Sequence, residues 1–84
     1  MDPKIRYALE REVDEIIKNP KKAIEILEDI GVEPTEEHAL AFIAGFLTAV
    51  VASFYEKEMP AEDRKEMIEL IRRRITEIRL AFMR

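Results

Sequence analysis

His38 is the side chain in this sequence that most directly suggests chemistry, because it is the one histidine and an unperturbed imidazole titrates near neutral pH. As a catalytic base it would need a nucleophile, but the chain has no cysteine, and Ser53 lies about four turns further along the same predicted helix. As a ligand in a di-iron helical bundle it would need a glutamate three residues earlier, where the sequence has Thr35. We therefore expect a structural role for His38.

Arg74 is the second residue whose position suggests binding. It falls on the same side of its predicted helix as Leu70 and Ile78, so it lies within an apolar stripe. An arginine in such a stripe either extends to solvent along its aliphatic stem or pairs with a buried carboxylate. If the protein binds a small anionic ligand or contains a buried ion pair, we expect Arg74 to be the residue involved. An enzymatic function would require a pocket that contains Arg74, His38 or Tyr55.

Carboxylates are numerous enough to suggest a Mg²⁺ site. They cluster in the second predicted helix and around the turn that connects the third predicted helix to the fourth. Glu25 and Glu28 have the Glu-x-x-Glu spacing that metal-dependent helical nucleotide hydrolases carry on neighbouring helices. Any exposed helix in a glutamate-rich protein also produces such pairs, so this hydrolase is the second alternative function. Gly31 and Gly45 are isolated, which argues against a glycine-rich phosphate loop. We expect no catalytic residues, no metal and no cofactor.

The C-terminal segment raises the question of nucleic acid, because residues 64–84 contain seven basic and three acidic side chains. The consecutive residues Arg72, Arg73 and Arg74 point about 100° apart on a helix, so they cannot line up along a phosphate backbone. The chain as a whole has a net charge of −4. Nucleic-acid binding is the first alternative function, and it would require arginines 72, 73, 79 and 84 to gather on one surface.

Four prolines divide the chain, and each stands where a helix could begin, since proline is well tolerated at the first helical position. Asp2, Asn19 and Thr35 are each placed to cap a helix N-terminus, and Gly31 is placed as a C-terminal stop. No segment alternates with the period of a strand. The sequence predicts a single all-α domain over 1–84, with helices at about 3–18, 20–30, 36–57 and 60–83. Helices 3 and 4, joined by about three residues, should form an antiparallel hairpin within a helical bundle.

The third predicted helix contains no charge over residues 39–55, so it has no polar face to leave in water. At about 100° per residue its side chains separate into a large half and a small half. The large half is Leu40, Ile43, Phe46, Leu47, Val50, Val51 and Phe54, with Phe42 near the border. The small half is Ala41, Ala44, Gly45, Thr48, Ala49, Ala52 and Ser53.

Such a helix must be covered on every side, and an 84-residue chain has little material to cover it. We therefore expect a second copy of the chain to cover the small half, with an oligomer interface formed by Ala41, Gly45, Thr48, Ala49, Ala52 and Ser53. One alternative is that the small half packs on helix 1 or helix 4 of the same chain. Another is a membrane span, which the shortness of the run, its hydroxyl residues and the flanking glutamates argue against.

The amino-acid composition limits the types of site, the cellular location and the class of function that we expect. The absence of cysteine excludes disulfides and thiolate metal sites. A low content of amide side chains, with many Glu, Lys, Arg and Ile residues, is typical of proteins from thermophiles. The N-terminus lacks a secretory apolar segment, so we expect a cytoplasmic protein. The predicted function is non-enzymatic: a structural or protein-interaction module that forms a homo-oligomer. We favour a dimer over a tetramer, and an unidentified protein partner is a further possibility.

Overall fold

A computed structural model of the chain describes residues 1–83, of which 77% are helical and none is in a strand. The helices are α1 (Pro3–Lys18), α2 (Lys21–Asp29), α3 (Glu36–Ala52) and α4 (Ala61–Phe82). The predicted all-α class and the four-helix bundle are confirmed. Three of the four predicted helices agree with the structure to within one residue at each end.

Local hydrogen bonds explain where the helices begin and end. Asp2 caps α1 by accepting a bond from the Lys4 amide at 2.8 Å, and Thr35 caps α3 by accepting one from the His38 amide at 3.1 Å. Gly31 ends α2 with φ of +82°, which a residue with a side chain rarely adopts. The prediction that Asn19 caps α2 was wrong, because Pro20 occupies the N-cap position and α2 has no side-chain cap.

The predicted end of the third helix was also wrong: α3 ends at Ala52 rather than at 57, and residues 53–60 form the connection to α4. Beyond Ala52 the amides of Phe54 and Tyr55 bond to carbonyls three residues back, a tightened turn that closes the helix. The Tyr55 hydroxyl then donates to Asp63 at the start of α4, at 2.7 Å. The apolar run continues through this turn to Tyr55, so the hydrophobic pattern alone could not place the helix end.

The core lies where α1, α3 and α4 meet. In α1 and α3 its residues recur every four positions, which aligns one apolar row along each helix. The cluster consists of Ile5, Leu9, Val13, Ile43, Leu47, Val51, Met67, Leu70 and Ile78. The Arg79 guanidinium lies 3.6 Å from the Glu36 carboxylate, so the end of α4 returns to the start of α3, as the antiparallel hairpin requires.

The second helix is attached more lightly than the other three. It packs mainly on α3, and Leu27 is its one buried residue. α1, α3 and α4 contact one another pairwise, so each of them has one side that faces away from the other two. On α3 that outward side is exposed over residues 41, 44, 45, 48, 49, 52 and 53.

We expect Leu47→Ala to lower the free energy of unfolding by about 2–5 kcal/mol, because Leu47 is fully buried and its loss leaves a cavity between three helices. The matched control is Leu80→Ala, since the Leu80 side chain is 54% exposed and its truncation opens no cavity. Urea denaturation of both variants, at one protein concentration, measures the difference. Equal losses in the two variants would contradict the assigned core.

Candidate functional site

The outward face of α3 consists of small side chains, and all of them are exposed. The seven residues are Ala41, Ala44, Gly45, Thr48, Ala49, Ala52 and Ser53, and we refer to them as the small face. The centre of the large half faces inward, where Ile43, Leu47 and Val51 are buried, whereas Phe46 at its edge is 42% exposed. Burial therefore separates the small half from the centre of the large half, and none of the helices described over residues 1–83 covers the small face.

The two hydroxyl groups of the small face are bonded to the helix itself. Thr48 donates to the Ala44 carbonyl at 2.7 Å, and Ser53 donates to the Val50 carbonyl at 2.6 Å. Bonds of this kind let hydroxyl residues lie on an apolar surface without a free donor. The small face is therefore uncharged, and both of its hydroxyl groups already donate hydrogen bonds to backbone carbonyls of the same helix.

Gly45 stands near the middle of the small face, and no other helix described over residues 1–83 approaches it. A Cβ atom built on Gly45 would meet no atom within 4 Å outside its own helix. Glycine in a helix interior costs about 0.8–1 kcal/mol relative to alanine. Packing within this chain therefore gives no reason for glycine at this position.

A shallow apolar groove runs beside the small face, between α3, α2 and the end of α1. Its volume is about 400 Å³. Phe46 and Ile26 stand on its two sides and are 42% and 39% exposed, respectively. Glutamates of α1 and Lys22 of α2 lie at its rim. Sequence reasoning missed this groove, because the apolar pattern of α2 does not indicate that its residues pack so incompletely on α3.

His38, Tyr55 and Arg74 do not share a pocket in the structure. His38 is exposed in the first turn of α3, where its Nδ1 atom lies 2.7 Å from the Glu33 carbonyl oxygen. Tyr55 follows the opposite end of α3, so the length of that helix separates the two side chains. Arg74 lies between α4 and α1. The geometry assembles no catalytic group from these three residues.

Tyr55 belongs to a polar network that joins the start of α1 to the start of α4. The hydrogen bond to the Asp63 carboxylate, together with burial, raises the pKa of Tyr55 to about 12. The same bond lowers the pKa of Asp63. The Met1 amino group lies 3.3 Å from both Asp63 and Glu66, and the Arg6 guanidinium donates to Glu66 at 2.7 Å.

Sequence reasoning missed Asp63, Glu66 and Arg6 as members of this network. The acidic first turn of α4 was visible in the sequence, and it indicated a helix N-terminus. Which cations would lie beside that turn depends on how α1 packs against α4, and no local pattern contains that information.

Arg74 forms an ion pair at the edge of the core. Its guanidinium donates to Asp14 of α1 at 2.7 Å and to Glu77 one turn further along α4 at 3.0 Å, and Glu10 lies at 3.9 Å. The bond to Asp14 is the main cause of the raised pKa of Arg74. The Arg74 side chain is 21% exposed, whereas its acidic partners are largely in solvent. The guanidinium already faces three carboxylates, so an anionic ligand would have to displace them.

Nucleic-acid binding would require the other arginines of α4 to gather on one surface, and the described contacts do not favour that arrangement. Arg72 and Arg73 are exposed, and Arg79 lies beside Glu36 of α3. Arg84 lies outside the described residues. Nucleic-acid binding stays an alternative prediction with no further support from the described contacts.

The hydrolase alternative likewise gains no support from the geometry. Glu25 and Glu28 are exposed on α2. Over residues 1–83, no group of three acidic or histidine side chains comes together in a way that could hold a metal ion.

None of the helices described over residues 1–83 has both the length and the apolar character needed to cross a membrane. Comparisons of the chain with protein-family models, with curated proteins and with solved structures found no match.

We expect the Tyr55 hydroxyl to titrate with a midpoint at about pH 12, because the neighbouring carboxylate favours its protonated form. The pKa in the folded protein lies above the unfolded value of about 10. The stabilising contribution of this bond is therefore complete below pH 10 and is lost as the pH rises through about 12. Phenolate absorbance of a Tyr7→Phe variant reports Tyr55 alone. Adding Asp63→Asn should lower the midpoint, and an unchanged midpoint would show that Asp63 does not hold the phenol.

We expect a coupling free energy of about 0.2–1 kcal/mol between Arg74 and Asp14, since their ion pair is largely at the surface. Urea denaturation of Arg74→Met, Asp14→Asn and the double variant measures it as a double-mutant cycle. The coupling should fall at high salt, because screening weakens exposed pairs. Arg73→Met, combined with the same Asp14→Asn change, is the control cycle and should give no coupling. Equal coupling in both cycles would refute the assigned pair.

Proposed function

We propose that this protein functions as a self-associating module: a homodimer whose two chains join through the small face of α3. The observation that carries the proposal is the surface area of the single chain. Its accessible area is 6137 Å², whereas a folded monomer of 9.8 kDa has about 5,200 Å². Summed over the whole chain, the excess is about 900 Å², an area comparable with the roughly 800 Å² that each partner buries in a stable interface of standard size.

The character of the small face supports the same conclusion. It is a continuous uncharged strip along α3, and two of the eight large apolar side chains exposed over residues 1–83, Phe46 and Ile26, extend it towards α2. A contiguous exposed apolar patch is typical of an interaction site. Joining it to another molecule would remove it from water at a gain of roughly 25 cal/mol per Å², before the cost of association is subtracted.

A second copy of the chain fits this face better than an unrelated partner does. Ala41, Gly45 and Ala49 are small, exposed and four residues apart, so an identical row of a second α3 can approach closely when the two helices cross. Since the face carries no charge, two copies meet without like-charge repulsion. A two-fold axis through such a face closes the assembly as a dimer. The cytoplasmic location and the thermophilic origin expected from the composition stay predictions.

We expect Gly45→Leu to convert the dimer into a monomer without unfolding the chain. The added side chain enters open space in the single chain, and leucine is a better helix former than glycine. Across the interface the same side chain would separate two closely packed helices. Sedimentation equilibrium should give twice the 9.8 kDa chain mass for the unmodified protein and the single mass for the variant, while circular dichroism stays helical.

The matched control is Thr76→Leu, which places the same side chain on the exposed side of α4. This variant should keep the dimer mass. A monomeric unmodified protein at tens of micromolar would refute the proposal. A Gly45→Leu variant that stays dimeric would show that the dimer uses another surface.

A further inference from the structure

The small face of α3 has two unlike edges. Phe42 and Phe46 form one edge, on the side where the apolar groove separates α3 from α2. Ala44 and Thr48 form the other edge, and both are exposed. The direction in which a second α3 crosses the first decides which edges become neighbours.

Symmetry makes the two directions easy to distinguish. In a parallel pair the two-fold axis runs along the helices, so the phenylalanine edge of one chain lies beside the small edge of its partner. In an antiparallel pair the axis is perpendicular to the helices and to the line that joins them. The phenylalanine edges of both chains then lie on the same side, next to each other.

The exposed aromatic residues favour the antiparallel direction. Phe46 is exposed across the groove from Ile26 in the single chain. An antiparallel crossing at Gly45 would bring Phe46 of both chains together and join the two grooves into one apolar cluster. Aromatic rings gain from such mutual contact beyond their buried area. A parallel crossing would leave each Phe46 beside alanine and threonine, with less apolar area to bury.

The helix dipole of α3 favours the same direction. Side-chain charge does not decide it, because exposed Glu56 and Glu58 follow α3, and Glu36 at its start lies beside Arg79. A parallel pair would place the two positive dipole ends next to each other. An antiparallel pair places each N-terminus beside the negative C-terminal end of the partner's α3 and separates the two N-termini by the length of α3, about 25 Å.

We propose that the α3 helices of two chains cross antiparallel at Gly45, so that Ala41 of each chain faces Ala49 of the other and the two phenylalanine edges close over a shared apolar groove. This inference rests on the proposed self-association and specifies its geometry. The surface left open in one chain is thereby covered by the same surface of a second chain.

Cysteine cross-linking tests the direction cleanly, because the chain contains no cysteine. A disulfide requires Cα atoms roughly 4.4–6.8 Å apart, so it reports direct apposition. The variants are Ala41→Cys, Ala49→Cys, their equimolar mixture and the double variant Ala41→Cys/Ala49→Cys, each equilibrated in a glutathione redox buffer. Non-reducing electrophoresis then measures the fraction of covalent dimer.

We expect the mixture and the double variant to form several-fold more covalent dimer than either single variant. Gly45→Cys should cross-link alone, since Gly45 meets its own copy at the crossing, and Thr76→Cys on α4 reports random collisions. Efficient cross-linking of Ala41→Cys alone would overturn the antiparallel direction while leaving the homodimer in place. If no α3 variant exceeds Thr76→Cys and the unmodified protein has the mass of one chain, self-association itself is refuted.

Discussion

The need to remove one uncharged helix from water governs this structure. In α3 no charge occurs after Glu37, and the helix packs on α1 and α4 through Ile43, Leu47 and Val51. A helix that is apolar on all sides needs cover on all sides. The chain supplies cover for about half of the circumference, because α2 is short and packs beside α3 rather than over its outward face.

Helical periodicity and end signals were enough to predict much of this arrangement. Asp2, Thr35 and Gly31 act as caps through bonds within a few residues of themselves, so the local sequence contains what is needed to place them. The division of α3 into large and small halves follows from residue spacing alone. Chain length then indicated that one half would lack a partner.

The features that could not be predicted depend on contacts between helices. The apolar run past Ala52 is typical of a helix, yet the helix ends at Ala52, and the hydroxyl of Tyr55 bonds to Asp63 on another helix. Arg74 was recognised as unusual for its apolar neighbours on α4, but its partner Asp14 is sixty residues away along the chain. The groove beside Phe46 depends on how incompletely α2 packs against α3. Spacing along one helix contains no information about the neighbour it meets.

Polar contacts over residues 1–83 lie at the rims and ends of the bundle, and no polar or charged side chain among these residues is buried. An interior made of aliphatic and methionine side chains has no directional bonds to preserve. In evolution such a core tolerates exchange of one aliphatic residue for another when volume is conserved. The interior therefore constrains side-chain volume more than side-chain identity, and a volume-conserving exchange in it should cost less than about 1.5 kcal/mol.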